Sequence, residues 1–366
     1  MALYAAAGSL TRSAPQFAQA NGAGVTLCRF DDEAGILTPC AAPVRVEDST
    51  WLVADPARRQ FHVVTDCDDG RQSALASLQL ARETEALTSL GSVPAGGHEG
   101  CHAVLSADGG AVFVANYGGH RAGGIQAGLA IVPVGSDGPR PTIATFEHEG
   151  HGPNAARQES PHAHCVLQSP DGRFLFVADL GIDKLVAYEL SGGALAPRPR
   201  PELDVTLPPG LGPRHFVFAA DGAHLYLVSE LTPAVTTLSY EAATGRLAVE
   251  ASISLVAVEG QNVQPSGIVL HPDGVHLFVA LRLTDEIAVL AIDQQTSLPQ
   301  IVGRYPSGGR TPRDLALSPS GRFLLVSNQD ADCITIWPVS RGELGPKPSS
   351  SLAIGTPMAV ALAEFN

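Results

Sequence analysis

Residues 160 to 190 read SPHAHCVLQSPDGRFLFVADLGIDKLVAYEL: two histidines two apart, His162 and His164, open one apolar run, and the next run closes on Asp179. Further along, Arg214, Glu230, Arg282 and Arg313 stand at the edges of similar runs. An imidazole or a carboxylate can take or give a proton, and a guanidinium is a permanent donor suited to an oxyanion or a carboxylate, with two prongs available. Glu230 or His162 is therefore a candidate base, and Arg214 and Arg282 are candidate anion stabilisers. Each also admits a structural role. Arg214 and Glu230 can form an ion pair between strand ends, His164 can be a hydrogen-bonded histidine that orients His162, and Asp179 can cap a turn. His162, His164, Asp179 and Glu230 offer nitrogen and oxygen ligands to a metal, but several arginines aimed at the same place oppose a cation by like-charge repulsion. No metal and no other cofactor is expected. The GxSxG elbow of serine nucleophiles does not occur in the sequence.

A repeat relates these residues to one another. The turn of the quoted segment recurs in SADGGAVFVAN from Ser106, SPDGRFLFVAD from Ser169, AADGAHLYLVSE from Ala219, HPDGVHLFVALR from His271 and SPSGRFLLVSN from Ser318. ADPARRQFHVVTD, from Ala54, keeps the strand and loses the Asp-Gly. Intervals between Asp108, Asp171, Asp221, Asp273 and Ser320 are 63, 50, 52 and 47 residues, so 366 residues hold seven units of about 52. Each unit reads as four short strands of period two. That is the pattern of a propeller blade, a small antiparallel sheet that buries its faces against its neighbours; a solenoid is the second choice. The expected fold is an all-β, seven-bladed β-propeller forming a single domain. Its blades are placed near 1–45, 46–95, 96–155, 156–207, 208–259, 260–306 and 307–366, the first without a turn signal. The tail GTPMAVALAEF, Gly355 to Phe365, is a strand with no unit of its own and is expected to close the ring against the N-terminal blade.

Aligned on the turn, the units carry two polar columns. Seven residues before the turn lie Cys101, His164, Arg214, Ser266 and Arg313; nine after it lie Tyr117, Leu180, Glu230, Arg282 and Gln329, preceded by Asn116, Asp179, Ser229, Leu281 and Asn328. The first two strands of a blade are antiparallel, so the start of one and the end of the next share a face of the disc. Both columns then converge on one mouth of the central channel. Arg157, His164, Asp179, Arg313, Asn328, Gln329, Asn116 and Tyr117 are expected to bind substrate around the catalytic candidates His162, Arg214, Glu230 and Arg282. His148 and His151, in the loop FEHEGHGPNAARQE, read as solvated loop residues.

Composition limits the partners. A net charge of −14 argues against a nucleic-acid surface, and an anionic ligand must be met by a local group of cations. Gly and Pro, 38 and 28 in number, fall between apolar runs as turn punctuation. Six cysteines, Cys28, Cys40, Cys67, Cys101, Cys165 and Cys333, show no CxxC pair and fit free thiols in a reducing cytoplasm. The start MALYAAAGSLTR has no basic segment and no run approaches about 18 apolar residues, so neither export nor membrane insertion is expected.

The strings VANYGG (Val114 to Gly119), ARQESPHAH (Ala156 to His164), VADLGIDKLVAYEL, GLGPRHFVFAADGAHLYLVSEL (Gly210 to Leu231) and TPRDLALSPSGRFLLVSNQDAD (Thr311 to Asp332) resemble the seven-bladed propeller lactonases. That family includes propeller-type 6-phosphogluconolactonases and carboxy-muconate lactonizing enzymes. The resemblance implies a propeller enzyme, and in the family's lactonizing members the residues matching His162, Arg214, Glu230 and Arg282 are implicated in catalysis. Where the family's sixth-blade strand ends Ser-Asn-Arg-Gly, this chain has ALRL, keeping Arg282. The expected function is hydrolysis of a small anionic lactone of the sugar-acid type. The alternatives are a cycloisomerase acting on a di- or tricarboxylate and a non-catalytic propeller that binds a ligand or a protein.

Overall fold

Each Asp-Gly turn is closed by its own chemistry. The turn glycines Gly109, Gly172, Gly222, Gly274 and Gly321 all take left-handed backbone with φ between +67° and +74°. The carboxylates of Asp108, Asp171, Asp221 and Asp273 each accept the backbone N–H two residues on. The computed structural model describes residues 2–13, 19–66, 72–118, 127–190 and 192–365; Cys67 and Gly119 lie outside them.

Among the described residues the strands form seven antiparallel sheets arranged as the blades of a propeller. Blades two to seven begin with inner strands at Ser49–Asp55, Gly100–Leu105, Ala163–Gln168, Pro213–Phe218, Gln264–Leu270 and Pro312–Leu317. Each is followed outward by its hairpin partner, such as Phe174–Asp179 or His224–Ser229. Hairpin partners are buried apart from the leading residues His224 and His276, because both their faces meet neighbouring blades, whereas an outer strand such as Arg246–Ser254 carries only exposed and half-buried residues. Seven apolar clusters fill the seven gaps between adjacent blades. The cluster of Phe176, Leu185, Phe216 and Leu227, for example, joins the fourth blade to the fifth.

The tail strand Pro357–Phe365 pairs with Ala2–Ser9 along its length and is the innermost strand of the first blade, in the order Ile36–Pro39, Val25–Asp31, Ala2–Ser9, Pro357–Phe365. It touches the inner strands of blades two and seven, which closes the ring. The N-terminal unit shows no Asp-Gly signal because its inner strand arrives from the other end of the chain, so it has no inner hairpin to turn.

Every inner strand is bulged at the same end. Ala163 pairs with Asp179 and Cys165 with Ala178, which leaves His164 unpaired. The same slip sets aside Thr50, Cys101, Arg214 and Arg313 in their blades and Met358 on the tail strand. In the sixth blade it falls at Ser266 and Gly267. A bulge frees one residue from the ladder and re-aims its side chain. No helix among the described residues is long and apolar enough to cross a membrane.

Candidate active site

The bulged residues form a floor and the ends of the second strands form a wall. Together they enclose a cavity of about 600 Å³ at one channel mouth. Thr50, Cys101, His164 and Arg313 line it from the floor; Asp66, Tyr117, Glu230, Arg282 and Gln329 line it from the strand ends. Glu99 and Thr311, each one residue before an inner strand and each with left-handed backbone (φ 50° and 56°), complete the rim with Gln264, Asp330, Arg157 and Leu283. Leu283 follows Arg282, is 58% exposed, and keeps a left-handed φ of 69° without being glycine.

Glu230 is the centre of the charge arrangement. Its Oε2 accepts from Arg214 Nε at 2.9 Å and forms an ion pair with Arg282 Nη2 at 2.7 Å, and its Oε1 accepts from Arg157 Nη2 at 2.6 Å and Gln264 Nε2 at 3.0 Å. Burial works to raise the Glu230 pKa, but the guanidinium groups of Arg282, Arg214 and Arg157 overcome it and hold the carboxyl well below the usual range. Three cations thus meet Glu230, while Arg313 lies on the floor of the same cavity, whose lining also carries Asp66, Glu99 and Asp330. Burial and repulsion from Arg282 push Arg214 down to about 9 and Arg313 down to about 10, so both remain charged at neutral pH. Arg157 also donates to Tyr117 Oη at 3.2 Å, and Arg282 to the Pro265 carbonyl at 3.2 Å. Arg282 Nε has no hydrogen-bond partner among the described residues.

The channel beneath is filled with buried rings. His164, His215, His102 and Trp51 stack edge to face or tilted, with ring centres between 4.2 and 5.4 Å apart. Burial first, then the charge of Arg214, keeps the imidazoles neutral: His102 is pushed down to about 3, and His164 and His215 lie well below the ordinary value. Asp314, buried at the same level, is pushed up to about 7 by its burial.

The expected residues separate into three groups. Arg157, His164, Glu230, Arg282, Arg313, Gln329 and Tyr117 line the cavity. Arg214 lies one layer lower, 2% exposed, in a small recess with Trp51, His215 and Asp314, and is tied to the cavity wall by its bond to Glu230. The remaining four face elsewhere. Asn116 donates to the Ala95 carbonyl at 3.1 Å and Asn328 to Thr335 Oγ1 at 3.1 Å, both wholly within the blades. Asp179 accepts the backbone N–H groups of His162 and Gly181 and contacts His148 Nδ1 at 2.6 Å, so it caps a turn. The His162 ring stacks on Tyr117 with centres 4.5 Å apart and its Nδ1 donates to the Tyr117 carbonyl, outside the cavity lining. His148 is buried rather than solvated, held between Asp179 and Tyr188 Oη. Glu230 accepts three hydrogen bonds and pairs with Arg282, which suits an organiser of arginines better than the base that it or His162 was a candidate to be.

Asp66 and Thr50 were missing from the sequence-based set. They occupy in the second blade the places that the two columns define elsewhere, and the degraded turn from Ala54 hid that alignment. Glu99, Gln264 and Thr311 each stand nine residues before their turn residue, the position that His162 holds in its unit, but they share no residue type, so the position did not stand out as a column.

The family model described as "Lactonase, 7-bladed beta-propeller" matches residues 5–362. A 6-phosphogluconolactonase of Bacillus subtilis is 27% identical over 316 residues, which is 86% of each chain. One of Formosa agariphila is 25% identical over 341 residues, 92% of this chain and 94% of the relative. Among solved structures, the periplasmic gluconolactonase of Pseudomonas aeruginosa superposes with a TM-score of 0.89 at 29% identity, covering 100% of both chains.

Proposed function

The chain belongs to the seven-bladed β-propeller lactonase family, and from that premise we propose that it hydrolyses a small anionic lactone of the sugar-acid type in the cavity at the channel mouth. The observation that carries this reading is the convergence of three guanidinium groups, Arg157, Arg214 and Arg282, on Glu230 at the cavity wall, with Arg313 in the same lining. Guanidinium groups held in place at a cavity wall are suited to donate to a substrate carboxylate or a developing oxyanion.

Opening a lactone needs an activated water, a stabilised tetrahedral oxyanion and a proton for the departing alkoxide. Arg282, at the cavity wall, is the donor to the oxyanion; Arg157 and Arg313 hold the substrate's own anionic group. His164 is neutral and lines the floor. It takes the proton of the attacking water and returns it to the alkoxide, so no net proton is consumed at the enzyme. Glu230 fixes the arginines, and Arg214 fixes Glu230 from below. Tyr117, backed by the His162 ring, orients Arg157.

A pH-stat assay on glucono-δ-lactone and 6-phosphoglucono-δ-lactone tests the reading. Wild type is expected to turn over at least one of the two faster than spontaneous opening. Arg282→Met is expected to lose roughly 10² to 10³ in kcat, about 2.7–4 kcal/mol, with unchanged circular dichroism. No acceleration of either lactone, or an Arg282→Met variant with full kcat, refutes it. For the compartment we favour a reducing cytoplasm, supported by the free state of Cys28, Cys40, Cys101, Cys165 and Cys333. The Pseudomonas relative is described as periplasmic, and fractionation of the native host decides between the two.

A further inference from the structure

The inner hairpin turn of the sixth blade differs from its counterparts. In blades three and four the residue two before the turn aspartate is a serine, Ser106 or Ser169, whose hydroxyl donates to that aspartate. In blade six the place is taken by His271, and His276 stands three residues past Asp273. One ligand atom from each of His271, Asp273 and His276 lies within 4.8 Å of the other two. Asp273 Oδ2 is 2.9 Å from His271 Nδ1 and 2.7 Å from His276 Nδ1.

The hydrogen bonds around His271 restrict its protonation. Its Nε2 faces the Gly321 carbonyl at 2.9 Å and must therefore carry the proton, while its Nδ1 accepts the Asp273 backbone N–H at 3.2 Å. The one Nδ1 lone pair is therefore directed into the turn, where Asp273 Oδ2 lies 2.9 Å from it and 2.7 Å from His276 Nδ1, so that three ligand atoms converge on one point. Donation of the far N–H to a backbone carbonyl is the habitual support of a metal-bound histidine. Both rings are also held in place: a Cβ at Gly342 would lie 2.1 Å from the His276 ring, and one at Gly321 would lie 2.7 Å from His271 Nε2, so those two glycines admit close backbone packing against the imidazoles. The turn in blade five acts as an internal comparison. There His224 pairs with Asp221 at 2.8 Å, but Ala219 stands where the third ligand would be.

We propose that His271, Asp273 and His276 form a divalent metal site of the zinc type on the face of the disc opposite the catalytic cavity. Two imidazoles and one carboxylate suit Zn²⁺ or its first-row neighbours, with water completing the shell. Tetrahedral ligation at about 2.0–2.2 Å separates ligand atoms by roughly 3.3 Å, so the cluster opens by a few tenths of an ångström on binding. The ion displaces any second proton from the rings. Because His271 also bonds Gly321, the site links the sixth blade to the turn of the seventh.

The test uses the full chain, stripped with a chelator and titrated with Zn²⁺ against a chromophoric competitor. The comparison is the double variant His271→Ser with His276→Phe, which gives this turn the Ser and Phe that blade four carries at Ser169 and Phe174. Wild type is expected to take up one more Zn²⁺ per chain than the variant and to show a Zn²⁺-dependent rise in Tm that the variant lacks. Equal uptake by both proteins, or no uptake by wild type, overturns the site. His271→Ser alone supplies the same comparison should the double variant fold poorly. The result does not depend on any lactone turnover at the opposite face.

Discussion

Glu230 shows how a residue's surroundings decide its role. A carboxylate that accepts from Arg157, Arg214 and Gln264 and pairs with Arg282 has little basicity left for water, so Glu230→Gln should act on structure and binding. Removing the charge leaves buried Arg214 and Arg282 uncompensated, a loss of about 3–5 kcal/mol in urea unfolding, with KM raised more than kcat is lowered. A kcat loss with unchanged stability would restore Glu230 as the base. His164 carries a second expectation. Burial and Arg214 hold its pKa well below 6.5, and a base works only when deprotonated. The kcat/KM of wild type should therefore stay level as pH falls through 6.5, turning down only further into acid. A limb centred near 6.5 that survives His164→Gln would assign the proton to another group. The His162 expectation failed for a local reason. Alternation places residues two apart on one face, but the bulge at His164 breaks the alternation, and His162 turns behind Tyr117.

At the scale of the element, the repeat was legible because its punctuation is chemical: Asp accepts within the turn, Gly takes left-handed backbone, and the apolar strands follow at fixed distance. The two columns followed from the same ruler, and they locate the cavity. Their neighbours Asn116, Asp179 and Asn328 did not belong, because adjacent residues on a strand point to opposite sides and these point between the blades. The bulges were not legible, since a bulge is a property of two strands in register and a single run of sequence does not carry it. Closure by the tail strand was legible from its apolar pattern, and it predicts a specific weakness. Deleting residues 353 to 366 removes the inner strand of the first blade and exposes Tyr4, Ala6 and Phe61, which pack against Phe365 and its neighbours. Aggregation on gel filtration is expected. A truncated chain that remains monomeric with its melting curve unchanged would contradict closure by this strand.

Three buried imidazoles of the molecule, His102, His164 and His215, lie together in the channel, and they shape its response to acid. His102, His164 and His215 refuse protons in the folded state that the unfolded chain accepts below about 6.5. Their stability contribution is therefore complete above that pH and is lost as pH falls, down to about 3 for His102. Asp314, pushed up to about 7, acts in the opposite sense over the same range, one group against three. Tm should fall steadily between pH 7 and 4.5, and His102→Gln should flatten the slope by about 1.4 kcal/mol per pH unit. A profile flat over that range would mean that the imidazoles are not buried neutral. The bulged ring along the same channel also bears on how such an enzyme changes over generations. The residue set aside in each inner strand does not take part in the pairing register, and in this chain those places hold threonine, cysteine, histidine, arginine, serine, arginine and methionine. Where such a side chain faces the cavity, as at Cys101, His164 and Arg313, it can be exchanged without altering the ladder bonds that hold the disc. Duplicated genes can therefore explore new substrates by altering a handful of codons at one mouth, those of the bulged residues and of the strand ends beside them.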